Sequence, residues 1–269
     1  MGLVSKRKRL HRNPVEWAEK QYARGKFVMS AIALLWFMNL VYYDVNKIKI
    51  AAELVRIVGL GCLVHKIGTE ESCGGLSFKS QMITAMSLFA RLYCSSVMQQ
   101  DVYVFMDFMT LVVTLWVLCK LQFRLRSTYS KDLDQFPLLY LLGPCVLLSI
   151  ISYPKTGYPV LHRMLWAFGV YLETVQIIPQ LNLMQSIRVI EPHTAHYVFA
   201  LGVSNLLNCI HFVIRMVEGN KHLFKIIGPG TWAGVTLVSK LLSFLMLGDF
   251  SFYYIKSLID GQRLVRLPV

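Results

Sequence analysis

Charge is what this sequence has least of. Only 16% of its 269 residues are Asp, Glu, Lys or Arg, whereas a soluble domain carries about 25%. Acids are the scarcer sign, 15 against 28 Lys and Arg, for a net charge of +13. That shortage excludes an ordinary soluble domain, and a hydrophobic content of 55% excludes a disordered chain. The six cysteines have neither the paired spacing of a zinc site nor the framework of a secreted mini-protein. Cys62, Cys94, Cys119, Cys145 and Cys209 fall in apolar stretches and Cys73 in a short loop, so they read as free thiols packed like small apolar groups. No nucleophile–base or metal-ligand constellation stands out, which argues against an enzyme and implies no cofactor and no metal. No nucleic-acid motif accompanies the basic charge, so nucleic acid is not the partner it implies.

What is present is apolar. Mean hydropathy is +0.49. Eight apolar segments recur near residues 27–43, 49–66, 82–98, 103–119, 137–153, 160–181, 196–217 and 231–255. The pattern predicts an all-α polytopic membrane protein, because a helix satisfies its own backbone in lipid. Residues 1–26 are polar and basic. Asn13-Pro14-Val15-Glu16 reads as a helix start, with Trp17 and Tyr22 at the lipid boundary. Segment 27–43 is too long for a signal-peptide core and reads as a retained helix. If the eight segments alternate from a cytosolic N-terminus, eighteen Lys and Arg lie on the cytosolic side and six on the other. This favours both termini in the cytosol.

Four bases remain inside the segments: Arg56, Arg91, Arg215 and Lys240. The acids there are Glu53, Asp107, Glu173 and Asp249. Each such charge costs at least ~2.5–3.5 kcal/mol on the insertion scale, so it turns to a partner or a cavity. Glu53 and Arg56 are spaced for an i, i+3 pair on one helix. Ser204, Asn208, His211 and Arg215 form one polar stripe at helical spacing. Arg163, Trp166, Val170 and Glu173 form a second, and Ser87, Arg91 and Ser95 a third. Turned inward, these stripes enclose a cavity with excess positive charge, suited to an anionic ligand that Arg can grip in bidentate fashion. Arg91 and Glu173 are then expected within ion-pair reach, and loss of Glu173 to strand Arg91 at a cost of roughly 3–5 kcal/mol. Pro179-Gln180-Leu181 places a kink late in its helix.

At these residues the chain resembles the ER lumen protein-retaining (KDEL) receptors. The resemblance rests on Ser72-Cys73-Gly74-Gly75-Leu76-Ser77-Phe78-Lys79-Ser80-Gln81, Ala90-Arg91, Tyr171-Leu172-Glu173-Thr174-Val175, Ile178-Pro179-Gln180-Leu181 and His196-Tyr197-Val198-Phe199-Ala200-Leu201-Gly202-Val203. Gly248-Asp249-Phe250 and Leu267-Pro268-Val269 complete it, with order and spacing kept over about residues 49–269. It is most similar to the diverged, N-terminally extended receptor-like members of plants. The resemblance implies seven helices in two inverted three-helix bundles, 49–119 and 160–255, joined by a linker helix at 137–153. This fold is related to the PQ-loop sugar transporters. Segment 27–43 becomes an extra helix in front, residues 1–26 a cytosolic segment, 49–255 the receptor-like domain and 256–269 a cytosolic tail.

The resemblance also implies a function. The family binds C-terminal Lys- or His-Asp-Glu-Leu signals of escaped ER proteins and returns them from the Golgi through COPI-coated retrograde transport. By position the signal-binding residues are Lys49, Arg91, Trp166, Glu173 and Arg215, with Arg56, Cys94, Ser204, Asn205, Asn208 and His211 as further pocket residues. Several of these depart from the family pattern. Arg56 stands at the pH-sensing histidine, Leu92 at a tyrosine, Cys94 at an aspartate and Arg163 at a glutamate. Ser204-Asn205 replaces Tyr-Arg, His211-Phe212 replaces Asn-Trp, and Asp260-Gly261-Gln262-Arg263 lacks the tail lysine cluster. The anion-facing half of the pocket is retained, and the half that reads the signal's lysine and senses protons is not, so signal binding is expected to be altered or lost. A carrier of a small polar or anionic solute, and an interaction protein with no small ligand, remain the alternatives.

Overall fold

The computed structural model describes residues 45–70, 72–98, 102–125, 129, 132–187, 189–218, 231–259 and 265–266. The basic segment 1–26, the expected helix 27–43 and the Leu267-Pro268-Val269 terminus lie outside the described residues. Chain contacts separate Met1–Ile48 from Lys49–Val269, and the packing below is that of the second unit.

The helices follow the apolar segments. They are α1 Val45–Thr69, α2 Phe78–Met98, α3 Val102–Cys119, α4 Leu139–Ile151, α5 Val160–Val175, α6 Ile177–Ile187, α7 Pro192–Glu218 and α8 Trp232–Ile259. A π-helical turn, Lys120–Arg124, extends α3. Val104–Arg124, Pro192–Val217 and Trp232–Ile259 are long and apolar enough to cross a membrane. The 13-residue α4 is apolar but shorter, about 20 Å at 1.5 Å per residue. Phe89, Phe105, Phe123, Leu139, Ile151, Leu245 and Phe252 face outward, as lipid contact requires.

Helix α2 packs against α3, α5 and α6, α4 against α5, and α7 against α8. The core has two parts. Leu63 and Ile67 of α1, Val117 of α3, Met184 of α6, Val198 of α7 and Leu247 of α8 form one. Ile83 of α2, Cys145 of α4, Tyr171 and Leu172 of α5 and Trp232 of α8 form the other. Helices α1 and α7 approach closely at Gly59, where an added Cβ would sit 2.5 Å from that of Ala200.

Segment 160–181 is not one helix. It breaks at Gln176, because Pro179 has no N–H for the carbonyl four residues back. Beside the carbonyl so freed, that of Val175, the Ser80 hydroxyl donates to the Gln176 carbonyl at 2.6 Å. Gln180 then reaches across to the turn before α2. Its amide donates to the Gly75 carbonyl at 2.6 Å and its oxygen accepts from the Ser77 N–H at 2.9 Å. Gly75 sits at φ 76, a left-handed conformation that glycine adopts at no steric cost. Ser77 caps α2 by accepting from the Ser80 N–H at 3.1 Å. Its hydroxyl donates in turn to Asp134 at 2.9 Å, and Tyr129 donates to the same carboxylate at 2.5 Å. Burial, and then the Asp134 charge, push the Tyr129 phenol well above its usual range.

Two sequence expectations change. Lys66, counted among solvated cytosolic charges, is 0% exposed inside the last turns of α1. Its ammonium donates to the Gly74 carbonyl and the Thr194 hydroxyl, each at 2.7 Å, and pairs with Glu191. Lys256, expected to open the tail, remains within α8, which ends at Ile259. Val265–Arg266 then pairs antiparallel with Val189–Ile190.

Glu191 reaches water and Lys66 does not, so the two partners are not equivalent. Glu191→Gln removes the counter-charge of a buried ammonium that keeps its bonds to Gly74 and Thr194, and is expected to destabilise the protein. Lys66→Met removes the charge with it and should cost less. Thermal unfolding of both variants in micelles tests this order, and a reversed order would contradict it.

Candidate functional site

The guanidinium of Arg91 joins four helices. Its Nε donates to Asp107 Oδ2 of α3 at 2.9 Å and one Nη to Asp107 Oδ1, a bidentate pair. The same Nη donates to Glu53 Oε1 of α1 at 2.9 Å. The other reaches Glu173 Oε1 of α5 at 3.4 Å. Arg56 backs the cluster, 3.6 Å from Glu173 and 3.9 Å from Glu53. Glu53, Arg56 and Asp107 are buried, and Arg91 and Glu173 are partly so. The close oppositely charged neighbours are what keep these charges tolerable in a membrane interior.

Further charge surrounds this centre. Lys49 lies within electrostatic reach of Arg91, Glu53, Asp107 and Lys240. His211 is within reach of Lys49, Arg215 and Lys240. A polar crevice opens between α5, α7 and α8, lined by Val170, Glu173, Thr174, Asn205, Asn208, Lys240 and Ser243. Its free space of about 10 Å³ admits about one water-sized group.

The residues singled out from sequence divide into groups. Arg91, Glu173 and Arg56 meet in the cluster, Lys49 is electrostatically coupled to it, and Arg215 to His211. Asn205 and Asn208 line the crevice. His211 stands in α7 with Nε2 lacking a hydrogen-bond partner among the described residues, and Ser204 is buried on the same helix. Trp166 packs toward Trp232, ring centres 6.3 Å apart. Cys94 is buried with its thiol 3.6 Å from the His162 carbonyl, and Arg163 stacks 5.3 Å from the Tyr153 ring centre. Asp249 is exposed.

The sequence reading passed over Asp107 and Lys240 as site residues. Each is a charge set within an apolar run, which is the available signal. Arg91 and Glu173 lie within the expected ion-pair reach at 3.4 Å, and Asp107 adds a bidentate partner from α3.

A helical membrane-protein bundle with a cluster of paired arginines and carboxylates in its interior is the class these observations define. The chain belongs to the ER lumen protein retaining receptor family, whose model matches residues 72–215. It is 30% identical to an ER lumen protein-retaining receptor of Dictyostelium discoideum, over 82% of this chain and 98% of that one. It is 31% identical to one of Drosophila melanogaster, over 83% and 99%. With one of Petunia hybrida it shares 29% identity, over 81% and 98%.

The geometry ranks the partners of Arg91. Asp107→Asn removes the bidentate carboxylate and is expected to cost roughly 3–5 kcal/mol. Glu173→Gln should cost less, since Arg91 keeps Asp107 and Glu53. Unfolding midpoints of the two variants decide the ranking, and a more damaging Glu173→Gln would make Glu173 the main partner.

Proposed function

We propose that this chain is a retrieval receptor of the ER–Golgi membranes that takes the C-terminal Lys- or His-Asp-Glu-Leu tails of escaped lumenal proteins. One observation carries the reading beyond family membership. The cluster gathers Lys49, Arg56, Arg91 and Lys240 against Glu53, Asp107 and Glu173, with Arg215 near His211 on α7. Such an excess of positive charge suits a peptide tail that brings two or three carboxylates. Lys49, Arg91, Trp166, Glu173 and Arg215 are the signal-binding residues of this reading. The helices before and after α4 form the two inverted halves, both termini face the cytosol, and COPI-coated carriers return the loaded receptor. No observation favours the solute-carrier alternative.

Direct binding of Lys- and His-Asp-Glu-Leu peptides, with free or amidated C-termini, tests the reading. Binding that depends on the free carboxylate is expected, and its absence would overturn the proposal. Cys94 and Arg163 supply no acid for a basic first residue of the signal. A competition series varying only that residue should therefore be nearly flat, and a steep preference for Lys or His would assign the role to another acid.

The imidazole that serves as the family's pH sensor is absent at position 56, where an arginine stands. Peptide binding should change little between pH 5 and 7.5. A strong rise at low pH that disappears in His211→Asn would instead make His211 the sensor.

A further inference from the structure

Lys240 is the cluster cation that makes no ion pair with a cluster carboxylate among the described residues, although of the surrounding charges it acts most strongly on Glu173. It sits within α8, in a span long and apolar enough to cross a membrane. Arg91 holds Asp107 in both hands and also takes Glu53. Glu173 Oε1 lies against Arg91 and Arg56. Among the described residues no carboxylate comes within ion-pair distance of the Lys240 ammonium, although Glu173 lines the same crevice. The Ser243 hydroxyl is turned to the Thr174 carbonyl at 3.4 Å. That leaves the crevice with an ammonium and two side-chain amides, Asn205 and Asn208, all capable of donating to one anion. The free space admits one water-sized group, such as a single ligand oxygen.

The geometry points to Lys240, with Asn205 and Asn208, as a subsite for one carboxylate of the incoming peptide tail. This rests on the retrieval reading and adds to it a residue outside the matched 72–215 region. The carboxylate comes either from the peptide terminus or from an acidic side chain. Lysine suits a single carboxylate, since its ammonium is a compact point charge without the planar fork of arginine.

The test uses the full chain in nanodiscs and four peptides ending in Lys-Asp-Glu-Leu. One is unmodified, one is amidated at the C-terminus, one has glutamine for the glutamate and one has asparagine for the aspartate. Lys240→Met is expected to weaken the unmodified peptide about tenfold to a hundredfold. It should leave unchanged the one peptide that lacks the partnered carboxylate, which identifies the source. Lys240→Arg should retain most of the binding. Should the Met variant fail to fold, Lys240→Gln makes the same comparison without the charge. Equal affinity of wild type and variant, or the same loss for all four peptides, would overturn the subsite and leave the retrieval reading standing. A wild-type protein that binds none of the peptides would overturn both.

Discussion

Four helices depend on one guanidinium. Arg91 is expensive inside a membrane unless it is paired, and its partners come from α1, α3 and α5 while it stands on α2. That requirement fixes where the four helices meet. A second ionic tie lies farther along α1, where Lys66 engages Gly74, Thr194 and Glu191. Glu53 and Lys66 are thirteen residues apart, about 20 Å along a helix. Helix α1 is thus held to α2 near one end and to the start of α7 at the other. Gly59 lies between the two ties, where the backbone of α1 comes close to α7. A side chain there would press the helices apart between two anchored points.

The engagement of Arg91 also limits how it can meet a ligand. Its Nε and both Nη groups are already donating. These bonds use four of its five N–H groups, so an incoming carboxylate that grips Arg91 in bidentate fashion must displace one of its partners. Glu173, at 3.4 Å, is held more loosely than Asp107, which is held by two bonds. Arg56 lies beside Glu173 and can keep it neutralised as it yields. Arg56 therefore has an electrostatic role here that does not require it to titrate.

Much of this was legible in the sequence, and what was missed has a common physical origin. Each described helix falls on an apolar run, since spanning lipid demands length and hydrophobicity that the sequence displays directly. The Glu53–Arg56 spacing and the stripes bearing Arg91 and Glu173 are local periodicities, and those side chains do meet. Asp107 could be noticed as a charge but not matched to Arg91, because pairing between helices depends on their packing. Lys66 misled for the opposite reason. At the end of an apolar run a lysine reads as solvated, and only the folded turn at Gly74 and the approach of Thr194 and Glu191 show it buried. The helix break was foreshadowed by Pro179, but its partner Ser80 lies 96 residues earlier and carries no local mark.

The distribution of these charges along the chain bears on how the protein enters the bilayer during synthesis. Glu53 and Arg56 emerge first, on one helix, each already beside an opposite charge. Arg91 follows, and its bidentate carboxylate appears only sixteen residues later, on the next helix. Glu173 is translated long after both. A nascent α2 therefore gains its strongest neutralising partner from its immediate successor, α3. The later arrival of α5 adds a third carboxylate to a guanidinium that is already paired.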